Sequence, residues 1–155
     1  MTIHRHQRGW WLEDARPGGT IAHPGGRTIN ADEHPRLAWL TDNASDVHGD
    51  VHRMASGPFG EPLVLGALTA AIVIGLAEPA VADAADAGRA VAGGWQRIDL
   101  TATVIAGDTV SVSSRIGRVT PDEDRRGGRV ERVIEGRNQH GAVVVRVEES
   151  RWVPS

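Results

Sequence analysis

The stretch LTDNASDVHGDVHRMA, residues 40 to 55, brings carboxylates, an amide and two histidines within a few positions of each other. Histidine is the side chain best suited to exchange protons near neutral pH. His48 beside an amide or carboxylate could therefore orient a water molecule and deprotonate it. If these residues stood alone, the solvated and capped start of a helix would be the favoured interpretation. The residues after them in the chain favour chemistry instead.

A metal site is the second chemistry that this stretch suggests. Asp46 is placed to cap a short helix that carries His48 and His52 one turn apart, and this is a metal-ligand spacing. However, the glutamate of an H-E-x-x-H motif is missing, and no third ligand is evident by spacing. We predict that no metal is bound here.

Gly66 comes after the histidines, inside the apolar run LVLGALTAAIVIGLA that extends from Leu63 to Ala77. A helix without a polar face must be wrapped by other structure, and Pro62 fits its first turn. A backbone N–H near the amino end of that helix is suited to hold a carbonyl oxygen that gains negative charge. Glycine in a buried helix also commonly serves close packing. A histidine-bearing loop that leads into such a helix end is a working arrangement for chemistry next to a carbonyl.

The elements that must position these residues can be read from the hydrophobic pattern. A first helix is predicted through ADEHPRLAWLTDN, capped by Asn30 or Asp32. Its inward-facing residues are predicted to be Leu37, Ala38 and Leu40. Before it, glycine-rich turns are predicted at Pro17-Gly18-Gly19 and Pro24-Gly25-Gly26, with a short extended piece near 20–23 between them.

From Val91 onward the apolar period changes from helical to alternating. TVSVSSRIG, RVERVIEGR and AVVVRVEESRWV are predicted strands, joined by the turns PDEDRRGG and NQHG. Gly141 is available for a positive φ in the second turn. Trp39 and Trp95 are predicted to pack in the core. The pattern therefore predicts an α+β domain in which an antiparallel sheet of successive hairpins curls around one buried helix.

Composition excludes several functions. The 155 residues carry a net charge of -3 with a pI near 6.1, which argues against a nucleic-acid binder. The absence of cysteine excludes disulfides and thiolate chemistry. The apolar run is shorter than the roughly 20 residues that span a bilayer, and the N-terminus lacks the apolar core of a signal peptide. We predict a cytoplasmic protein without a membrane partner, with a flexible leader at 1–11 and a single domain at 12–155.

Four segments in order resemble the MaoC-like, or hydratase-2-like, family of hot-dog-fold proteins. They are LEDARPGGTIAHPGGRTI, LTDNASDVH, SGPFGEPLVLGALTAAIVIGL and GGWQRIDLTATVIAGDTV. LTDNASDVH stands where the family has its catalytic loop, usually written T-G-D-x-N-P-L-H. The resemblance covers nearly the whole chain from Leu12 onward. It implies the hot-dog fold, a curved antiparallel sheet wrapped around one long central helix.

The resemblance also implies an activity. The family commonly adds water reversibly to a trans-2-enoyl thioester of coenzyme A or acyl carrier protein, giving the (R)-3-hydroxyacyl thioester. The only cofactor-like group is then the coenzyme A or phosphopantetheine of the substrate. The resemblance further implies a homodimer with sites at the subunit junction.

Residue by residue, His48 matches the catalytic histidine and Gly66 matches the glycine whose N–H polarises the thioester carbonyl. Asn43 stands where many members have a catalytic aspartate. An asparagine can orient a water but cannot take its proton, so His48 would be the main acid–base group. Weaker candidates are Asp42, Ser45 and Asp46 as supporting groups, and Phe59 and Leu65 in an acyl pocket.

Because Asn43 leaves the usual pair incomplete, two alternatives stay open. The same site could serve a thioesterase or another conjugate addition in a biosynthetic pathway. The chain could also be a non-catalytic subunit that dimerises with an active paralogue.

Overall fold

A computed structural model describes residues 2–3, 11–78, 91–122, 124 and 126–155. The sheet is antiparallel except for the short strand β1, which pairs in parallel with β2. Its order is β1-β2-β4-β5-β6-β3. The strands are β1 (Thr2–Ile3), β2 (Thr20–Thr28), β3 (Val91–Leu100), β4 (Thr109–Asp122), β5 (Gly127–Arg137) and β6 (Val143–Pro154).

Four α-helices and one 3-10 turn, Leu12–Asp14, complete the described elements. The helices are α1 (Glu33–Leu40), α2 (Asp46–Gly49), α3 (Val51–Ala55) and α4 (Gly66–Ala77). Helix α4 contacts every strand from β2 to β6. Strands lie about 4.8 Å apart, and a helix is only about 10 Å wide. Contact of one short helix with five neighbouring strands is the arrangement expected of a sheet that curves around the helix. The predicted α+β hot-dog architecture is therefore confirmed.

The core lies between α4 and the concave face of the sheet. Alternate residues of β4 point inward, and Val110, Val112 and Ile116 are buried as predicted. The helix rests on β5 at Gly136, where an added Cβ would lie only 2.3 Å from a methyl carbon of Val73. Glycine is therefore required at this point of closest approach.

The two predicted hairpin turns are confirmed, and Gly141 has a φ of 81°. Two other local predictions are wrong. Strand β2 runs through Pro24-Gly25-Gly26, where an irregularity in its pairing with β4 takes the place of the predicted turn. Helix α4 begins at Gly66, so Pro62 lies before it and not in its first turn.

Helix α1 is confirmed, but its inward face differs from the prediction. His34 and Ala38 are buried, whereas Leu40 is 83% exposed. Trp39 and Trp95 are likewise 79% and 53% exposed, so neither packs in the core of this chain. Asp32 occupies the N-cap position without a capping side-chain hydrogen bond.

Two residues of the predicted leader, Thr2–Ile3, pair with Thr20 and Ile21 of β2. The rest of the leader up to residue 10 lies outside the described residues, as do residues 79–90. Among the described helices, none is long and apolar enough to cross a membrane.

Candidate active site

The loop between α1 and α2 presents the candidate residues. Asp42 has a φ of 52°, which turns the chain back so that the Asn43 N–H donates to the Ala38 carbonyl at 2.9 Å. The Ser45 N–H then donates to Asn43 Oδ1 at 3.3 Å. Because that backbone group is a donor, the oxygen of the amide must face it. The amide NH₂ of Asn43 is therefore the group left for other partners.

His48 lies in α2, which begins at Asp46 and ends at Gly49. Its Nδ1 lies 2.8 Å from the carbonyl oxygen of Leu63, and the Leu63 N–H donates to the Val47 carbonyl at 2.9 Å. A carbonyl oxygen only accepts, so Nδ1 carries the proton of the neutral ring. The lone pair is then on Nε2. The backbone of residue 63 thus holds the imidazole in the form that can act as a base.

The predicted helix carrying both His48 and His52 is wrong. Asp50 separates α2 from α3 and caps α3 by accepting the Arg53 N–H at 2.8 Å. The two histidines therefore belong to different helices. Within the described parts of the chain, no group of three or more histidine, aspartate or glutamate side chains is arranged to hold a metal ion.

Gly66 is the first residue of α4, where backbone N–H groups have no partner inside the helix. The preceding segment is held in place by the Val64 N–H, which donates to the Val104 carbonyl at 2.8 Å. An added Cβ at Gly66 would lie 2.2 Å from Leu100 Cδ1. The missing side chain thus serves close packing, and it also leaves the amino end of the helix open.

His48 lies between two cavities. A depression of about 360 Å³ contains His48, Gly66 and Thr69, and its other walls include Leu100 and Val144. The imidazole of His48 and the amino end of α4 therefore border one largely apolar space.

A larger cleft of about 900 Å³ contains His48 together with Asn43 and Ser45. The structure thus brings His48 together with Gly66 in one cavity and with Asn43 in the other.

His34 is a residue that sequence reasoning missed. It lines the larger cleft, is only 4% exposed, and has no hydrogen-bond partner for Nδ1 among the described residues. Burial, and then the nearby charge of His48, lower its pKa below the usual value. The sequence did contain one signal for a buried His34. It stands four residues before Ala38, which places both residues on one helix face.

The weaker candidates are spread around the loop. Asp46 forms an ion pair with Arg53 and lines the larger cleft with Ser45, the N-cap residue of α2. Asp42 is exposed and lines neither cavity. Phe59 is 45% exposed and Leu65 only 3% exposed, and neither borders these two cavities. Leu65 instead precedes α4, where its carbonyl accepts from Thr69.

Comparison with known proteins supports the fold. No family model matches the sequence, and no curated protein matches it. A monoamine oxidase regulatory protein from Archaeoglobus fulgidus is 24% identical over 95% of this chain and 96% of its own, with a TM-score of 0.78. A MaoC-like dehydratase from Rhodospirillum rubrum is 23% identical over 94% and 97%, with a TM-score of 0.77.

An (R)-hydratase from A. caviae involved in PHA biosynthesis is 20% identical over 92% of this chain and 99% of its own, with a TM-score of 0.68. At these sequence identities the similarity shows a shared fold. The reaction has to be inferred from the side chains at the site of this chain. The resemblance noted in the sequence is confirmed at that level: this chain has the hot-dog fold in the form seen in MaoC-like dehydratases and (R)-hydratases.

Proposed function

We propose that this protein is an acyl-thioester hydratase or dehydratase, acting on a trans-2-enoyl thioester and the corresponding (R)-3-hydroxyacyl thioester. One observation carries the proposal. The hydrogen bond of His48 Nδ1 to the Leu63 carbonyl leaves Nε2 as the basic nitrogen of a ring that borders the same depression as Gly66, at the amino end of α4. A base and a site for a developing oxyanion are the two requirements for adding water next to a thioester carbonyl.

In the hydration direction, the thioester oxygen accepts the Gly66 N–H. His48 Nε2 takes a proton from water as the oxygen of that water bonds to the β-carbon. The electron pair of the double bond moves to the thioester oxygen, where the dipole of α4 favours negative charge. The proton on His48 then passes to the α-carbon as the enolate collapses. No electrons leave the substrate, so the proposed reaction needs no redox cofactor.

Asn43 has a narrower role in this scheme than an aspartate would have. Its amide oxygen already accepts the Ser45 N–H, and its NH₂ can only donate. Asn43 therefore orients the water through one of the lone pairs on the water oxygen. All proton transfer falls to His48.

The test is incubation of the purified protein with crotonyl-CoA, following loss of the enoyl thioester absorbance and confirming the hydroxyacyl product by mass. His48→Ala should lower the rate by about 10²–10⁴-fold, the usual contribution of a general base. His52→Ala is the matched control, since this exposed histidine on α3 lies outside both cavities. Equal rates for the His48 variant and the unmodified protein would reject the proposed base.

A thioesterase, or an enzyme of another conjugate addition in a biosynthetic pathway, is the second candidate. It is favoured by Asn43, which leaves the site without the carboxylate that many hydratases of this fold carry. The same reaction mixture separates the two chemistries. Release of free coenzyme A thiol, detected with a thiol reagent, would indicate thioester hydrolysis, whereas hydration leaves the thioester intact.

We further propose that the protein is a homodimer whose partner packs on the edge strand β3. Trp95, Ile98 and Leu100 lie on this strand and are 53%, 43% and 57% exposed. Leu100 also borders the depression that contains Gly66, so a second subunit at this edge would roof the candidate site. Sedimentation of the purified chain tests this.

A non-catalytic partner subunit would use the same edge of the sheet. It would bind acyl-CoA or the acyl carrier protein thioester without turnover, and it would dimerise with an active paralogue. The proposed setting of all these activities is cytoplasmic.

A further inference from the structure

The larger cleft contains a buried polar group that the proposed mechanism leaves unused. His34 projects from α1, is 4% exposed, and its Nδ1 has no hydrogen-bond partner among the residues that the structure describes. A buried polar atom without a partner lowers stability, and native structures contain few of them. A leucine at this position, beside the buried Ala38, would pack in the same space without that penalty.

His34, Asn43 and His48 line the same cleft of about 900 Å³. Other charged side chains along it are Asp46, which is ion-paired with Arg53, together with Asp50 and Glu61. Burial, followed by the charge of His48, keeps the pKa of His34 below its ordinary value. His34 is therefore neutral at pH 7, and a neutral imidazole keeps one nitrogen that accepts a hydrogen bond.

His48 and Asn43 hold the attacking water by two hydrogen bonds in the proposed scheme. The water donates one hydrogen to His48 Nε2 and accepts one from the Asn43 NH₂. The oxygen of Asn43 already accepts the Ser45 N–H, so a free acceptor elsewhere in the cleft holds the second hydrogen of the water better than this shared oxygen. A water held in one orientation needs several polar partners. A neutral histidine in the same cleft supplies such an acceptor.

We propose that Nε2 of His34 completes the water site by accepting the second hydrogen of the water that His48 deprotonates, because the buried Nδ1 is closed to the cleft. This inference rests on the proposed hydration. His34 neither gains nor loses a proton during the reaction; it fixes the direction from which the water oxygen reaches the β-carbon. In the dehydration direction it accepts the same hydrogen from the leaving water.

The experiment measures turnover of crotonyl-CoA and thermal unfolding for the unmodified protein, His34→Leu, His34→Gln and the control His52→Leu. Leucine removes the acceptor and fills the space, while glutamine keeps an acceptor oxygen. We expect His34→Leu to lower kcat by about 10- to 100-fold, the cost of misplacing a reacting group. We expect its Tm to be unchanged or higher, because an unpartnered buried polar group has been removed. His34→Gln should recover part of kcat, and His52→Leu should change neither quantity.

Two outcomes would overturn the inference while the proposed function stands. One is a kcat for His34→Leu within twofold of the unmodified protein. The other is a joint loss of kcat and Tm in both His34 variants, as expected of a packing residue. Absence of turnover in the unmodified protein is a different result. It rejects the proposed hydration and, with it, the role of His34.

Discussion

The two ends of α4 show opposite ways of placing polar groups in a buried environment. The helix spans about 18 Å from Gly66 to Ala77 at the usual rise per residue. At its amino end, the candidate site leaves a histidine nitrogen without a described partner and borders open cavities. At its carboxyl end, four charged side chains form one network: Glu78, Arg132, Glu149 and Arg151.

Each member of the network at the carboxyl end is paired with at least one other member. Arg132 lies 2.5 Å from Glu149 and donates to the Ala77 carbonyl at 3.3 Å, where a cation suits the negative end of the helix dipole. Burial disfavours the charge of Arg151, but Glu78 and Glu149 outweigh this effect and raise its pKa. This difference indicates that the carboxyl end of α4 contributes mainly to stability and that the amino end is where activity is expected. Charges paired with one another hold α4 on the sheet at its carboxyl end, and histidines that border open cavities stand near its amino end.

The largest effect should come from opening the network at Glu149, whose side chain is 1% exposed. Glu149→Gln leaves Arg132 and Arg151 buried without their shared carboxylate. We expect a loss of about 3–5 kcal/mol in the free energy of unfolding, as measured by urea denaturation. Glu148→Gln, an exposed neighbour on β6, should change it by less than about 0.5 kcal/mol. Equal effects of the two substitutions would show that the network does not stabilise this end.

Gly66→Ala, at the opposite end of α4, is expected to have a smaller effect on stability and to lower activity. The new methyl group would meet Cδ1 of Leu100, the far end of an exposed side chain that can turn aside. We therefore expect a change of less than about 1 kcal/mol in unfolding free energy. Turnover of crotonyl-CoA should fall by up to about 10²-fold, because the methyl group and the displaced Leu100 side chain occupy the depression in which the thioester oxygen is proposed to lie.

Gly75→Ala is the matched control on the same helix, because an added Cβ there meets nothing within 4 Å. It should stabilise the protein by about 0.5–1 kcal/mol through helix propensity and leave turnover unchanged. Unimpaired turnover in Gly66→Ala would show that the substrate does not need the space beside Gly66 at this end of α4.

The smallest effect concerns His34 and His48 and is read from NMR titration of the imidazole protons. In His48→Gln the neighbouring charge is gone, so the pKa of His34 should rise. It should stay below the ordinary value, because burial is the larger cause of its depression. No change on substitution would mean that the two rings do not interact.

The same depressed pKa predicts a pH dependence of stability. The unfolded chain binds a proton at His34 near pH 6.5, while the folded chain does so only at a lower pH. The free energy of unfolding should therefore decrease as the pH falls below about 6.5. His34→Leu should remove this component, which urea denaturation at pH 5 and pH 7.5 would detect.

Much of the fold can be predicted from the local spacing of apolar residues along the chain. Alternation along TVSVSSRIG predicts β4, and the apolar run around Val73 predicts a helix that the sheet must enclose. These predictions hold because side-chain period depends on local backbone geometry. The closeness of His48 and Gly66 along the chain also pointed to the candidate site, and both residues border one depression in the structure.

Other features depend on contacts between distant segments. The tautomer of His48 depends on the carbonyl of Leu63, fifteen residues later, and on how the chain returns to it. The alternation that predicts a strand does not say which strand lies at the edge of the sheet, so the exposure of Trp95 could not be predicted. The local pattern of α1 placed Leu40 inward, whereas tertiary packing selected His34. A short helix has several nearly equivalent faces, and the surface against which it packs decides which one is buried.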